Sequence, residues 1–200
     1  MVSATATHAE PKPVFALLMC GSTPRVFPRH PTPEEELVMT SYALGAGAKG
    51  IGYYWWPHMI GDDKLARGLS EVNARLRQIG ALAVRSVPMA WAQSCHPNVR
   101  TNALWTAGRA VTVIATNENY ETDHAAGGGT VFEPLKDVEM TCRLPDGSEQ
   151  WRLHRVTPFA WEPLDETRYT VEVVDNVRFI RWTIPELEVA EWYVIASGPY

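Results

Sequence analysis

Two hundred residues, 46% hydrophobic and 20% charged, suffice to close one large core or two small ones and exclude wholesale disorder. Eighteen Lys and Arg against 23 Asp and Glu leave a net charge of −5 without a basic cluster, which excludes a nucleic-acid partner held by phosphate contacts. Three widely spaced cysteines, Cys20, Cys95 and Cys142, suit neither a zinc site nor a disulfide framework.

The amino-terminal stretch is polar, and residues 14–20 then form a continuous apolar run with Pro13 before it and Gly21-Ser22 after it. Such a run reads as a strand buried on both faces, as in a parallel sheet. It is too short for a secretory leader, Lys12 is the only positive charge upstream, and Met19 is a poor residue to precede a cleavage site. No stretch approaches the ~20 apolar residues of a membrane span, and the compartment stays open. A loop rich in Pro and Arg covers residues 21–31. Thr32 then caps a helix, Pro33 takes its first position and Glu35 completes a capping box. Glu34, Glu35 and Glu36 complement the positive end of the helix dipole. Leu37, Val38, Tyr42 and Leu44 carry the helix to a glycine region in which Gly47 ends it in the left-handed conformation.

Residues 49–57 read as a second strand with glycines at its start and aromatics at its end. Asp62 or Asp63 caps a second helix, in which Leu65, Leu69, Val72, Leu76 and Ile79 form one apolar stripe reaching at least Ala83. Strand, helix, strand, helix over residues 14–83 implies parallel strands joined by a right-handed crossover.

Helical periodicity stops near residue 95. Short strands are expected at 103–106, 110–116, 138–143, 150–156, 169–174, 177–183 and 192–196. Asp146-Gly147 and Asp175-Asn176 suit tight hairpins, residues 117–120 suit a turn, and the glycines near 127–129 suit a loop tip. The fold class is therefore α/β followed by all-β, with an α/β region over 1–94 and an antiparallel β-sandwich over 95–200. Most of the eight tryptophans are expected in the core.

Particular segments carry a family resemblance. Pro31-Thr32-Pro33-Glu34-Glu35-Glu36-Leu37, Ser41-Tyr42-Ala43-Leu44, Gly47-Ala48-Lys49-Gly50-Ile51 and Tyr53-Tyr54-Trp55 resemble the seventh helix and eighth strand of (β/α)8-barrel glycoside hydrolases. The likeness covers most of residues 11–94 at the level of motifs; beyond 99 it is architectural only. It implies a partial (β/α) barrel made of the last two βα units, followed by the appended sandwich. It also implies chemistry at the carboxyl ends of the strands, with two carboxylates for cleaving a glycosidic bond. The residues after the strand of 14–20 are Cys20-Gly21-Ser22-Thr23, with no carboxylate, so the pair cannot be assembled here by the usual plan.

By this resemblance Tyr54, Trp55, Trp56 and His58 lie at or near the sugar-binding face, alongside Tyr53. Alternation allows only one of Trp55 and Trp56 to face it. The plain alternative is that these rings fill the end of a sheet. Arg25, Arg29 and His30, in the preceding loop, suit sugar hydroxyls or a carboxylate, or else a solvated basic loop. Asp62 and Asp63 suit helix capping better than acid/base work. Cys20 lacks an activating partner in sequence and reads as a buried thiol.

No metal or cofactor is implied, and carbohydrate is the expected partner. The function read here is that of a glycoside-hydrolase-like carboxyl-terminal portion, glycosidase-like only when an upstream barrel segment completes it, supplying sugar-contacting aromatics rather than the carboxylate pair. Such a piece exposes unpaired strand edges that invite an upstream barrel half or a second copy. The alternative is a non-catalytic carbohydrate-binding or structural sandwich, which would display a row of exposed rings drawn from Trp151, Trp161, Trp182 and Trp192.

Overall fold

The computed structural model describes residues 13–22, 29–54, 61–108, 110–123, 128–146 and 150–197. The chain is mostly β, with two α-helices among these residues. Strands β1 (Phe15–Met19) and β2 (Gly50–Tyr54) pair in parallel, Phe15 opposite Gly50 and Met19 opposite Tyr54. Helix α1 (Pro33–Gly45) connects them and helix α2 (Asp63–Ala83) follows.

The capping signals act as the sequence reads. Thr32 accepts a bond from the Glu35 N–H, and the Glu35 carboxylate accepts one from the Thr32 N–H. At the other end Gly47 has φ +94°. Its N–H donates to Leu44 and that of Ala48 to Ala43, the paired bonds of a Schellman stop. Asp62 caps α2 through the Leu65 N–H at 2.9 Å. The helices cross closely at Gly68, where an added Cβ would come within 2.4 Å of the Pro33 side chain.

Alternation divides the parallel pair. Ala16, Leu18 and Ile51 pack with Ala43 and Ala48, while Cys20 and Tyr53 pack with Leu65 and Leu69 of α2. The opposite face corrects the expectation of burial on both: Phe15 is 70% and Leu17 66% exposed, each beside a glycine of β2 in the register, Gly50 and Gly52.

The remaining strands are antiparallel. A six-stranded sheet has the order β11-β10-β14-β6-β5-β3, formed by Trp161–Pro163, Trp151–Val156, Ala190–Ser197, Ala110–Asn117, Val99–Thr106 and Val87–Met89. A four-stranded sheet has the order β12-β13-β9-β4, formed by Tyr169–Val174, Val177–Leu187, Leu135–Arg143 and Ala92–Ser94. A small hairpin, β7 (Tyr120–Thr122) with β8 (Thr130–Phe132), stands apart from both. One core joins the two large sheets, Val111, Val113, Leu153 and Ile195 of the first meeting Val138, Met140, Ile180 and Trp182 of the second. A second core lies on the outer face of the six-stranded sheet, where Leu44, Ile79 and Leu82 of the helices cover Leu104, Ile114, Trp192 and Val194. Strands β6 and β14 are therefore covered on both faces and buried almost throughout, and residues 110–117 accordingly carry no charge and no polar–apolar alternation.

Several expectations are corrected. Residues 87–94 hold two strands that the sequence did not reveal, β3 on β5 and β4 on β9. Strands β7, β8 and β11 were equally silent. Of the expected Asp146-Gly147 hairpin, Gly147 lies outside the described residues; the flanking strands β9 and β10 are not paired with each other and belong to different sheets. Asp175 and Asn176 do form a tight turn, with φ +49° and +63° between the paired Val174 and Val177, as a type I′ hairpin requires. The row of exposed rings that the alternative, a carbohydrate-binding sandwich, would display is absent, and three of its four tryptophans lie in the core as expected. Trp151, Trp182 and Trp192 are 7%, 3% and 0% exposed, and half-buried Trp161 donates its N–H to the Gln78 carbonyl.

Candidate functional site

Both helices run back against the strands, so their amino ends meet the carboxyl ends of β1 and β2. Polar groups gather there. Cys20, just past β1, donates its backbone N–H and its thiol to the Tyr54 carbonyl, both at 3.1 Å. The thiol is buried, and burial, then the nearby Glu36, raise its pKa. A protonated thiol makes a poor nucleophile, in keeping with the structural role expected for Cys20.

Glu35 is the hub of this end. Arg29 grips its carboxylate with two nitrogens at 2.6 and 2.7 Å. Thr130, on β8, donates its N–H at 3.1 Å and its hydroxyl at 2.6 Å. Burial opposes ionisation, but the bonds from Arg29, Thr130 and Thr32 prevail and lower the carboxyl pKa to about 2. Glu35 thereby joins the loop before α1, the helix itself and the β7–β8 hairpin.

Glu36 is the opposite case. It is 0% exposed, and neither carboxylate oxygen has a hydrogen-bond partner. Burial, then the charge of Glu35, raise its pKa to about 8, so the group is a neutral acid at pH 7. Tyr53 lies in the same region, its hydroxyl donating to Asn73 of α2 at 2.9 Å and its pKa raised to about 12 by burial and then by Glu36.

Tyr54 stands at the end of β2, 45% exposed. Trp55, Trp56, His58 and Arg25 lie outside the described residues. Arg29 and His30 correct the expectation of hydroxyl-binding or freely solvated side chains: Arg29 is committed to Glu35, and His30 Nδ1 lies 3.0 Å from Asp62. Asp62 is the cap expected of it, its pKa lowered by the Leu65 N–H and by His30. Of the carboxylates gathered here, Glu35 is saturated with donors, Glu36 is sealed from solvent and Asp62 is capping.

Two residues that matter are read otherwise from the sequence, Glu36 as a charge at the helix dipole and Asn117 as part of a turn. The Glu36 signal was available: Glu36, Thr40 and Ala43 recur at spacings of four and three, and all three are buried on the face toward the sheets. Asn117, expected in a plain turn, is 0% exposed. Its amide donates to the carbonyls of Glu133, Leu187 and Glu188 at 2.8, 3.2 and 2.9 Å. Its carbonyl accepts from the Asn119 N–H at 2.7 Å.

No family model and no curated protein matches the chain. Solved structures do. A cycloisomaltooligosaccharide glucanotransferase from Paenibacillus sp., complexed with cycloisomaltoheptaose, superposes with a TM-score of 0.55 at 13% identity over 82% of this chain and 27% of that one. The Thermotoga maritima alpha-fucosidase, in complex with a mechanism-based inhibitor, gives 0.50 at 12% identity over 96% of this chain and 41% of that one. At such identities the likeness is one of fold: the chain has a glycoside-hydrolase-like fold and spans well under half the length of either neighbour.

Proposed function

We propose that this chain is the carboxyl-terminal portion of a glycoside-hydrolase-type assembly, the last two βα units of a barrel with a β-sandwich behind them. In this reading it contacts carbohydrate at the carboxyl ends of β1 and β2 and leaves bond cleavage to carboxylates carried elsewhere. The observation that carries the reading is the bare face of the parallel pair. Phe15 and Leu17 are large apolar side chains standing in solvent on a sheet whose other face is packed against helices. In a closed barrel that face would be interior. Further parallel strands, from an upstream segment or a separate chain, would cover it. Tyr54, Trp55, Trp56, His58 and Arg25 are the proposed sugar contacts, aromatic rings stacking on the C–H faces of the sugar and the polar groups meeting its hydroxyls.

The test uses the full chain. Titration with isomaltoheptaose, chosen because the first neighbour holds a cyclic isomalto-oligosaccharide, is followed by NMR. Binding should weaken about tenfold in Y54A, a loss on the scale of one aromatic contact. The chain alone should leave nitrophenyl glycosides uncleaved. Turnover by the purified chain, abolished by substitution of one of its own carboxylates, would place the acid/base pair here and overturn the proposal.

A further inference from the structure

A second polar site lies away from the strand ends. Between the two helices and the turn joining β13 to β14 runs a groove of about 450 Å³, within the roughly 300–1,000 Å³ of small-molecule sites and, like many of them, at a junction between structural units. One wall is the ion pair of Arg155 with Glu191, in which Nε donates to Oε2 at 2.7 Å and Nη2 to Oε1. Beside it stands Arg75, from α2. Its Nη1 is buried and finds no acceptor among the described residues. Desolvation, and after it the charge of Arg155, lower the guanidinium pKa against attraction from Glu191 and Glu71, and the Glu191 carboxylate is already held by Arg155. A buried donor without an acceptor carries the cost of its lost hydration, so this nitrogen gains from any ligand oxygen that reaches it.

The charges around it restrict what that partner can be. Glu34, Glu71, Glu186 and Glu188 also line the groove. Five carboxylates, Glu191 included, face two guanidiniums, so an anionic ligand would meet net repulsion. A cationic amine would suit the carboxylates and leave Arg75 unsatisfied. A neutral polyhydroxylated ligand satisfies both, because each hydroxyl donates one hydrogen bond and accepts others. Leu37, Val72 and Ala190 add apolar surface to the lining, as the C–H faces of a sugar ring need.

We propose that this groove is a second carbohydrate site, in which Arg75 donates to an oxygen of a neutral sugar while Glu71 and Glu188 accept from its hydroxyls. The inference rests on the reading that this chain handles carbohydrate, but not on the β1–β2 face.

The full chain and its R75M, E188Q and Y54A variants are titrated by NMR and calorimetry with isomaltoheptaose, cellohexaose and xylohexaose. Glutamate and spermidine serve as charged comparators. At least one neutral oligosaccharide should bind. Read at the resonances of residues 71–75 and 186–191, which report this groove alone, R75M should weaken binding about tenfold or more while its thermal midpoint stays level or rises, E188Q should weaken it severalfold, and Y54A, whose effect belongs to the strand-end signals, should leave the groove affinity within about twofold. Resonances of residues 71–75 and 186–191 should shift on binding. Sugar binding that depends on Tyr54 and ignores Arg75 would overturn this site and leave the strand-end reading standing; dependence on Arg75 alone does the reverse. Arg75-dependent binding of glutamate or spermidine in place of the sugars would overturn the sugar assignment, and failure of all three oligosaccharides to bind would overturn the site.

Discussion

Glu35 and Glu36 are neighbours in the first turn of α1, and the fold holds them in opposite states of ionisation. Glu35 faces Arg29 and Thr130 and keeps its charge; Glu36 faces the interior and keeps its proton.

The Glu35 pKa falls from 4.5 in the free side chain to about 2 in the folded chain. Its stabilisation is therefore complete above about pH 4.5 and disappears as the pH falls toward 2. E35Q should lower the unfolding free energy at pH 7 by about 1–3 kcal/mol, the scale of hydrogen bonds to a charged acceptor. The gap between wild type and variant in urea titrations should narrow through that acidic window. A gap that is the same at pH 7 and pH 2 would show the ion pair to be of no consequence.

Glu36 predicts the reverse sign. Its pKa rises from 4.5 to about 8 on folding, so between those values the folded chain binds the extra proton and stability falls as pH rises, by up to about 1.4 kcal/mol per pH unit. E36Q removes this dependence. Its urea midpoint should exceed that of the wild type at pH 8 and match it near pH 4. A wild-type curve that is flat over this range would show that the carboxyl finds a partner.

Asn117 predicts a stability effect without pH dependence. N117A takes the donor from three carbonyls and should cost about 2–4 kcal/mol in urea unfolding at pH 7. A cost below about 1 kcal/mol would mean that water replaces the amide.

The bare face of β1–β2 predicts self-association. Phe15 and Leu17 present a contiguous apolar surface beside a strand edge, and such edges pair with whatever is offered. Sedimentation velocity should show oligomers that grow with concentration, and L17K should return the chain toward a monomer. A wild-type chain that remains monomeric at every concentration would contradict this.

The first four elements were legible because each carries a strong periodic or capping signal: the apolar run ending at Cys20, the Thr32–Glu35 box, the glycine-led strand and the Leu65-to-Ile79 stripe. Strands of three residues, such as β3, β4 and β11, are too short to show alternation, and only the sheets that receive them reveal them. The Asp146-Gly147 pair shows the limit of turn chemistry. A dipeptide specifies a reversal, but which strands then pair depends on cores assembled from distant residues. At the site, Asp62 could be read as a cap from its position alone. The pairing of Glu35 with Thr130 could not, since the residues are 95 positions apart and nothing local in either segment announces the other.

The buried bond from the Trp192 indole N–H to the Ser41 hydroxyl, 2.9 Å long and spanning 151 residues, bears on how the chain is made. Ribosomal synthesis delivers α1 long before the strand that covers it. While the later strands are being translated, the α1 surface around Ser41 and Leu44 has no permanent cover, and transiently bare apolar surface of this kind is what chaperones bind. Maturation of the helical part is thus tied to the arrival of β14, and nascent chains stalled before residue 190 should remain protease-sensitive around α1.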